Sequence, residues 1–327
     1  MMYLEDVAIE GFKSFSQRTD MSFQPGIGVI IGNNGVGKSN ILDAIVLALG
    51  EDDLARVRCY HRGELFFAGS RDYPPAPRIR VELNLRESAR QMAPAFRIVR
   101  EMDRSGEDRF YIQDEILGME SFRRRLADLD LKDALKTIIR QEQINDVLQL
   151  DPAGRFQAIG KFLDNAQDGE LSAKICGPVD ALFQRYFSYL MPLAEVELQL
   201  PQHNGMPGFE IEIDLPGNRR RRVHQLSGGE KSITSLALKL ALFEDLRTPF
   251  YLLDEVEPSL DYANHKSMQA FLKDVAARKQ LIMITHLRST IELANTVHGV
   301  RTRWDGSSFM KFYFVMDERL LRLYKCC

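Results

Sequence analysis

Hydrophobic and polar positions divide the chain into three stretches. Up to about residue 100, apolar residues come in short runs broken by polar ones, the pattern of strands. Residues 7–12 and 21–23 are short runs of this kind. Residues 27–31 (Ile-Gly-Val-Ile-Ile) are continuously apolar, as expected of a buried strand. Residues 41–49 repeat apolar side chains at helical spacing. A polar segment follows at 51–63, and Pro74-Pro75-Ala76-Pro77 marks a rigid turn. Residues 78–85 alternate charged and apolar positions, a half-buried strand. Residues 96–104 and 109–112 read as a hairpin joined through Ser105-Gly106-Glu107-Asp108.

The middle stretch, 117–190, reads as mostly helical. Residues 117–139 carry apolar positions at mixed three and four spacing. Asp151-Pro152 is a good helix start, followed by a stripe of Phe156, Ile159, Phe162 and Leu163. Residues 165–169 read as a polar linker, and 179–190 as a core-facing amphipathic helix. From Ala194 strands return at 196–200 and 209–215, with a turn at 201–208 between them. Pro216-Gly217-Asn218 is a second turn. A long helix lies within 226–246, an apolar strand at 249–253, a helix at 263–277 and a buried strand at 280–285.

Chemistry enters where these elements meet. Gly32-Asn33-Asn34-Gly35-Val36-Gly37-Lys38-Ser39 fits the phosphate-binding loop G-x-x-x-x-G-K-[ST] at every fixed position, between a strand and a helix. Glycines let successive N–H groups line a nest for anionic oxygens. Lys38 supplies a compact positive charge, and the Ser39 hydroxyl suits Mg²⁺, a hard cation. Asn40 continues the loop into its helix. The ordinary alternative is a glycine-rich turn with a solvated lysine; the flanking strand and helix favour the nucleotide.

The run Phe250-Tyr251-Leu252-Leu253-Asp254-Glu255 ends an apolar strand in two carboxylates, the Walker B pattern. Asp254 would hold Mg²⁺, and Glu255 would act as general base on water. Leu226-Ser227-Gly228-Gly229-Glu230 opens the long helix. It reads either as a second anion site or as a simple capping box, since Ser227 and Glu230 have that spacing.

Composition narrows the class. The 327 residues are 45% hydrophobic and 27% charged, ordinary for a globular protein of about two domains. No secretory signal and no bilayer-length apolar run is visible. Cys59, Cys176, Cys326 and Cys327 lack metal-ligand spacing and read as reduced thiols. A net charge of −3 is not the global signature of a nucleic-acid binder, so DNA contact would need local patches. Arg123-Arg124-Arg125 and Arg219-Arg220-Arg221-Arg222 are candidates, although a charge run is more often a solvated face.

Together the three motifs resemble the ATP-binding cassette superfamily. Gly11-Phe12-Lys13-Ser14-Phe15 and Phe66-Phe67-Ala68-Gly69-Ser70 narrow the resemblance to SMC proteins, the chromosome-organising ATPases. So do the helix running from Leu226 to Leu238 and the run from Asp254 to Asp261. The resemblance implies an α/β fold: an ABC-type P-loop head with a mixed or antiparallel β subdomain, a central parallel sheet and a helical subdomain. It places an N-terminal lobe at 1–150, a short helical insert at 151–193 where the coiled coil is usual, and a C-terminal lobe at 194–327, the two lobes forming one head.

Site roles follow from the same resemblance. Gln141 looks like the Q-loop glutamine that contacts Mg²⁺, with Gln143 as a second candidate. Asp261 resembles the D-loop aspartate, and His286 the switch histidine that senses the γ-phosphate. Arg58 resembles an arginine near the phosphates, and Lys13 a neighbour of base or ribose. The implied cofactors are ATP and Mg²⁺. The implied partners are a second head in an ATP-dependent homodimer or heterodimer, DNA and a kleisin-like subunit, with no membrane. The implied location is the cytoplasm with its nucleoid, or the nucleus.

The departure from the family is the lack of any heptad run. Either the arms have been removed or the head is naturally arm-less; the absence of a Gly/Ser graft favours the second. Glu257-Pro258 is a smaller departure. Two other classes compete, a transporter-type cassette subunit and an ATP-gated interaction module with little turnover. The SMC-like opening argues against the first, and an intact Glu255 against the second.

Overall fold

A computed structural model describes residues 2–87, 95–164, 168–203, 206–217, 219–257 and 265–315. They fall into two compact units. One is built from Met1–Ile138, Arg247–Glu255 and Ala276–Cys327, the other from Ile139–Leu246 and Val256–Val275.

The first unit holds two sheets and the helix that follows the phosphate loop. One sheet is antiparallel, with Met2–Glu10 between Thr19–Ser22 and Arg78–Glu87, then Phe96–Asp103, Asp108–Ile112 and Glu115–Leu117. The other is parallel at its centre. Ile27–Ile31 lies between Gln280–Ile284 and Thr296–Thr302, and Phe250–Asp254 pairs outside Gln280–Ile284. Ile27–Ile31 and residues 250–253 of Phe250–Asp254 are apolar without a polar break because both faces are covered. Ser308–Val315 pairs antiparallel with Thr296–Thr302 and closes one end.

The helix Lys38–Ala48 explains how the two sheets share a core. Ile41, Leu42, Ala44, Ile45, Val46, Leu47 and Ala48 are all buried, so apart from Asp43 this part of the helix is apolar on every side. It packs in one cluster with Val7, Val81 and Ile98 of the antiparallel sheet and Ile30, Leu252 and Ile282 of the parallel one. Its C-terminal carbonyls need partners. Arg100 supplies them, donating to Leu47 O at 3.0 Å and Glu51 O at 2.7 Å while pairing with Asp52 and Asp108. A cation here also complements the helix dipole. Gln280, fully buried, fastens the first strand by bonding both the N–H and the carbonyl of Leu4.

The second unit is mostly helical. Pro152–Phe162 starts where expected, with the Asp151 carboxylate accepting from Gly154 N. Asp180–Leu190 buries Phe183, Tyr186, Phe187 and Leu190, and Tyr186 meets Phe271 edge-on at 5.3 Å. Gly228–Phe243 is the long helix. A small antiparallel sheet orders Arg219–Arg222, Glu210–Leu215 and Glu195–Gln199.

Several elements differ from expectation. Residues 117–139 are not one helix. Met119–Asp128 is helical, Asp130 turns left-handed at φ 54°, and Ile138–Arg140 is a strand. The mixed spacing arose because three elements share that apolar tally. The turn at 201–208 carries a short ribbon, Gln202–His203 against Met206–Pro207. Most of the proposed linker at 165–169 lies outside the described residues. Thr296–Thr302 and Ser308–Val315 are strands that the pattern of apolar positions does not predict. His298 and Gly299 break the first of these runs and Lys311 the second, and packing explains them. A side chain on Gly299 would come within 2.3–2.6 Å of the Phe312 ring, which lies across it.

Candidate functional site

The phosphate loop leaves the carboxyl end of Ile27–Ile31, where open α/β sheets bind ligands. Gly35 and Gly37 adopt φ 78° and 95°, so the loop takes the left-handed geometry its glycines permit. No side chain caps the helix at Gly37, which leaves its first amides for an anion. Lys38 is buried at 5% exposure, and its ammonium donates to Gly32 O at 2.9 Å and Asn33 O at 3.1 Å.

Two residues from other strands meet that ammonium. Glu255 Oε1 lies 3.5 Å from Lys38 Nζ, and His286 Nε2 lies 3.3 Å from it. His286 Nε2 is 2.8 Å from Glu255 Oε1. A carboxylate only accepts, so Nε2 carries the proton and donates it to Glu255. Glu255 itself sits at φ 50°, left-handed for a residue with a side chain, which costs about 1–2 kcal/mol. The bond from its N–H to Ile284 O at 3.0 Å holds that conformation. Strained backbone of this kind collects at functional sites.

Ser39 Oγ donates to Asp254 Oδ1 at 3.2 Å. Two hard oxygens beside a phosphate nest fit Mg²⁺, which takes few protein ligands and completes its shell with water and phosphate oxygens. Among the described residues no group of three or more His, Cys, Asp or Glu is arranged to hold a metal. A groove of about 330 Å³ opens beside the loop, edged by Gly32, Asn33, Thr285, His286, Arg301 and Lys311.

Lys13 and Arg58 converge on one carboxylate. Asp43, fully buried on the phosphate-loop helix, accepts from Lys13 Nζ at 2.6 Å and Arg58 Nη2 at 2.7 Å. Arg58 also donates to Asn40 Oδ1 at 3.2 Å. Both are left-handed, at φ 47° and 56°. Asp43 carried no signal in the sequence beyond its place in an apolar helix, and a lone acid in such a helix was the clue.

The remaining motifs lie in the second unit. Gln141 opens the turn Gln141–Gln143 and is exposed; the Gln143 carbonyl accepts from Lys239. The capping box forms: Ser227 N donates to Glu230 Oε2 at 2.7 Å and Glu230 N to Ser227 Oγ at 3.3 Å. Leu226 is buried, whereas Ser227, Gly228 and Gly229 are exposed, and a methyl on either glycine would meet nothing within 4 Å. The turn therefore faces outward as well as capping its helix. Asp261 lies outside the described residues, as do Pro258, Cys326 and Cys327. Cys59 and Cys176 are free thiols.

Neither arginine run is an open cationic strip. Arg123, Arg124 and Arg125 face Asp52, Glu120 and Glu115. Arg220 reaches Glu197, Glu212 and Asp214, Arg222 reaches Glu212, and Arg221 lies 3.6 Å from Glu230. Cross-strand pairing with acidic strands is the physical account of the second run. No helix of the described residues is long and apolar enough to cross a membrane.

A strand, a glycine-rich phosphate loop and a buried helix, with the paired acids and a histidine ending neighbouring parallel strands, define a phosphate-loop head of the ATP-binding-cassette type. The RecF/RecN/SMC N-terminal domain model matches residues 3–308, and the chain belongs to that family. Within it, the chain is an SMC head domain. The chromosome partition protein Smc of Methylococcus capsulatus is 32% identical over 223 residues, 68% of this chain and 18% of that protein. The Smc of Mycolicibacterium paratuberculosis is 38% identical over 130 residues, 39% of this chain and 11% of that one. The chain thus spans less than a fifth of the length of these relatives. Among solved structures, an SMC head bound to the C-winged helix domain of ScpA superposes with a TM-score of 0.85 at 27% identity, covering 98% of this chain and 99% of that one. The SMC head domain from Thermotoga maritima gives 0.69 at 30% identity, with 96% and 99% covered.

Proposed function

We propose that this head binds ATP with Mg²⁺, engages a second head across the nucleotide and hydrolyses it in the service of chromosome organisation. The observation that carries the reading is the meeting of Lys38, Glu255 and His286 at the phosphate loop, with Ser39 and Asp254 alongside. When bound, Mg²⁺ on Ser39 and Asp254 would offset phosphate charge. The loop amides from Gly32 to Ser39 and the Lys38 ammonium hold the phosphates. Glu255 accepts a proton from the attacking water, and His286 holds the terminal phosphate through the nitrogen that now bonds Glu255. The exposed Ser227-Gly228-Gly229 turn supports closure by a second head, with Asp261 relaying between sites; neither head alone encloses the nucleotide.

Arg58 and Lys13 fix the helix start through Asp43 and sit beside the nucleotide. The likeness to a head bound to a ScpA domain supports a kleisin-like partner. The Smc relatives support a chromosomal setting and DNA as the assembly's substrate. The test is Glu255→Gln, sized with and without ATP. It should bind ATP, lose hydrolysis by about 100-fold or more and accumulate as a dimer. A variant that stays monomeric at saturating ATP refutes the closure model, and an intact protein that releases no phosphate refutes the ATPase.

A further inference from the structure

The orientation of each peptide in a phosphate loop decides whether an N–H or a carbonyl faces the anion. In a trans peptide the two point in opposite directions. The Val36–Gly37 peptide is fixed from outside the loop. Val36 O accepts a hydrogen bond at 2.7 Å from the hydroxyl of Ser308, which belongs to the strand Ser308–Val315 and is 1% exposed. Ser308 Oγ also lies 2.7 Å from Ser14 Oγ, and Ser308 N donates to Ser14 O at 2.7 Å. A side chain on Gly37 would strike both hydroxyl oxygens at 2.5 Å, so this pair packs directly under the loop's last glycine.

Counting protons gives the chain a direction. Ser308 has one hydroxyl proton, and Val36 O can only accept, so Ser308 donates there and accepts from Ser14. Ser14 Oγ in turn accepts from Asn40 Nδ2 at 2.8 Å, and Asn40 Oδ1 accepts from Arg58 Nη2 at 3.2 Å. From Arg58 through Asn40 and Ser14 to Ser308 each step has its acceptor, ending on the Val36 carbonyl, while Arg58 Nη2 also donates to Asp43 Oδ2 at 2.7 Å. Such chains polarise and strengthen one another.

We propose that Ser308 is a positioning residue of the phosphate loop: its hydroxyl, at the end of a relay from Arg58 through Asn40 and Ser14, pins the Val36 carbonyl outward so that the Gly37 N–H faces the phosphates. The inference rests on the ATP-binding reading above. It gives the strand Ser308–Val315, far away in sequence, a part in nucleotide binding. Ser308 touches no phosphate; it acts through the peptide it holds. Without it the peptide is free to flip at Gly37 and present a carbonyl to an anion.

The test uses the full chain as wild type, Ser308→Ala and Ser14→Ala. Dissociation constants are measured for Mg·ATP and for tripolyphosphate, alongside the melting temperature and the amide resonance of Gly37. Loss of one orienting hydrogen bond predicts affinity weaker by about fivefold to tenfold in Ser308→Ala for both ligands, since the base is not involved. Ser14→Ala keeps the bond to Val36 and should lose less. The Gly37 amide should shift in Ser308→Ala, and melting should stay close to wild type. Wild-type affinity in Ser308→Ala, or an unmoved Gly37 resonance, overturns the proposal. A wild type that binds neither ligand sinks the ATP reading instead, and the Gly37 resonance still decides the role of Ser308.

Discussion

His298 makes the first unit sensitive to mild acid. Its ring is fully buried, tilted against Phe23 at 4.5 Å and Tyr313 at 4.9 Å, and neither ring nitrogen has a well-formed hydrogen bond. Burial pushes its pKa down from 6.5 to about 4, and the nearby backbone of Ser22 and Val29 offsets only part of that. The unfolded chain therefore takes up a proton between pH 6.5 and 4 that the folded chain refuses. Stability is fully present above 6.5 and falls as pH drops towards 4. At about 1.4 kcal/mol per tenfold, the whole loss is about 3 kcal/mol, and about 2 kcal/mol is gone by pH 5. Asp6 runs the other way: burial raises its pKa, so its protonation favours the fold. Comparison with His298→Phe isolates the histidine. Urea unfolding, followed by the single tryptophan Trp304 on the same hairpin, should give wild type and variant different pH dependences. The stability gap between them should move by about 2 kcal/mol in favour of the variant from pH 7.5 to pH 5. A gap that is the same at both pH values refutes the reasoning.

Further outcomes follow from packing. Gly11 has φ 70°, and a methyl there would sit 2.2 Å from the Arg78 carbonyl, a backbone atom. Gly11→Ala should cost about 2–4 kcal/mol by urea unfolding, adding left-handed strain to overpacking. Arg100→Met removes the donor shared by Leu47 O, Glu51 O, Asp52 and Asp108. It should cost about 2–3 kcal/mol in the same assay, and Arg100→Lys should recover little, because a point charge cannot span four acceptors.

The legible part of this protein was local. The phosphate loop, the apolar strand ending in Asp254-Glu255 and the Ser227-to-Glu230 cap are contiguous, so their residue types and spacing carry the chemistry within a few positions. The strand Ile27–Ile31 and the helix after it could be read for the same reason, since burial on all sides leaves apolar runs interrupted only by Asp43 in the helix. The extent of residues 117–139 was not legible, because Leu131 in the connection and Ala134 in a single tight turn are buried by their neighbours rather than by helical period. The second arginine run looked available because acids that pair with it, Glu197 and Glu212 among them, lie on the other strands of its sheet.

The sequence by itself determined the class of chemistry: where phosphates, a hard cation and a general base would be held. Only the tertiary structure decided which distant residues complete that arrangement. His286 donates to Glu255, Asp43 gathers Lys13 and Arg58, and Ser308 closes on Val36 across 272 positions. The physical reason is that a hydrogen bond needs two groups within about 3 Å, and period or spacing reports that only for neighbours in the chain. For residues on different strands, the register of the sheet sets the distance.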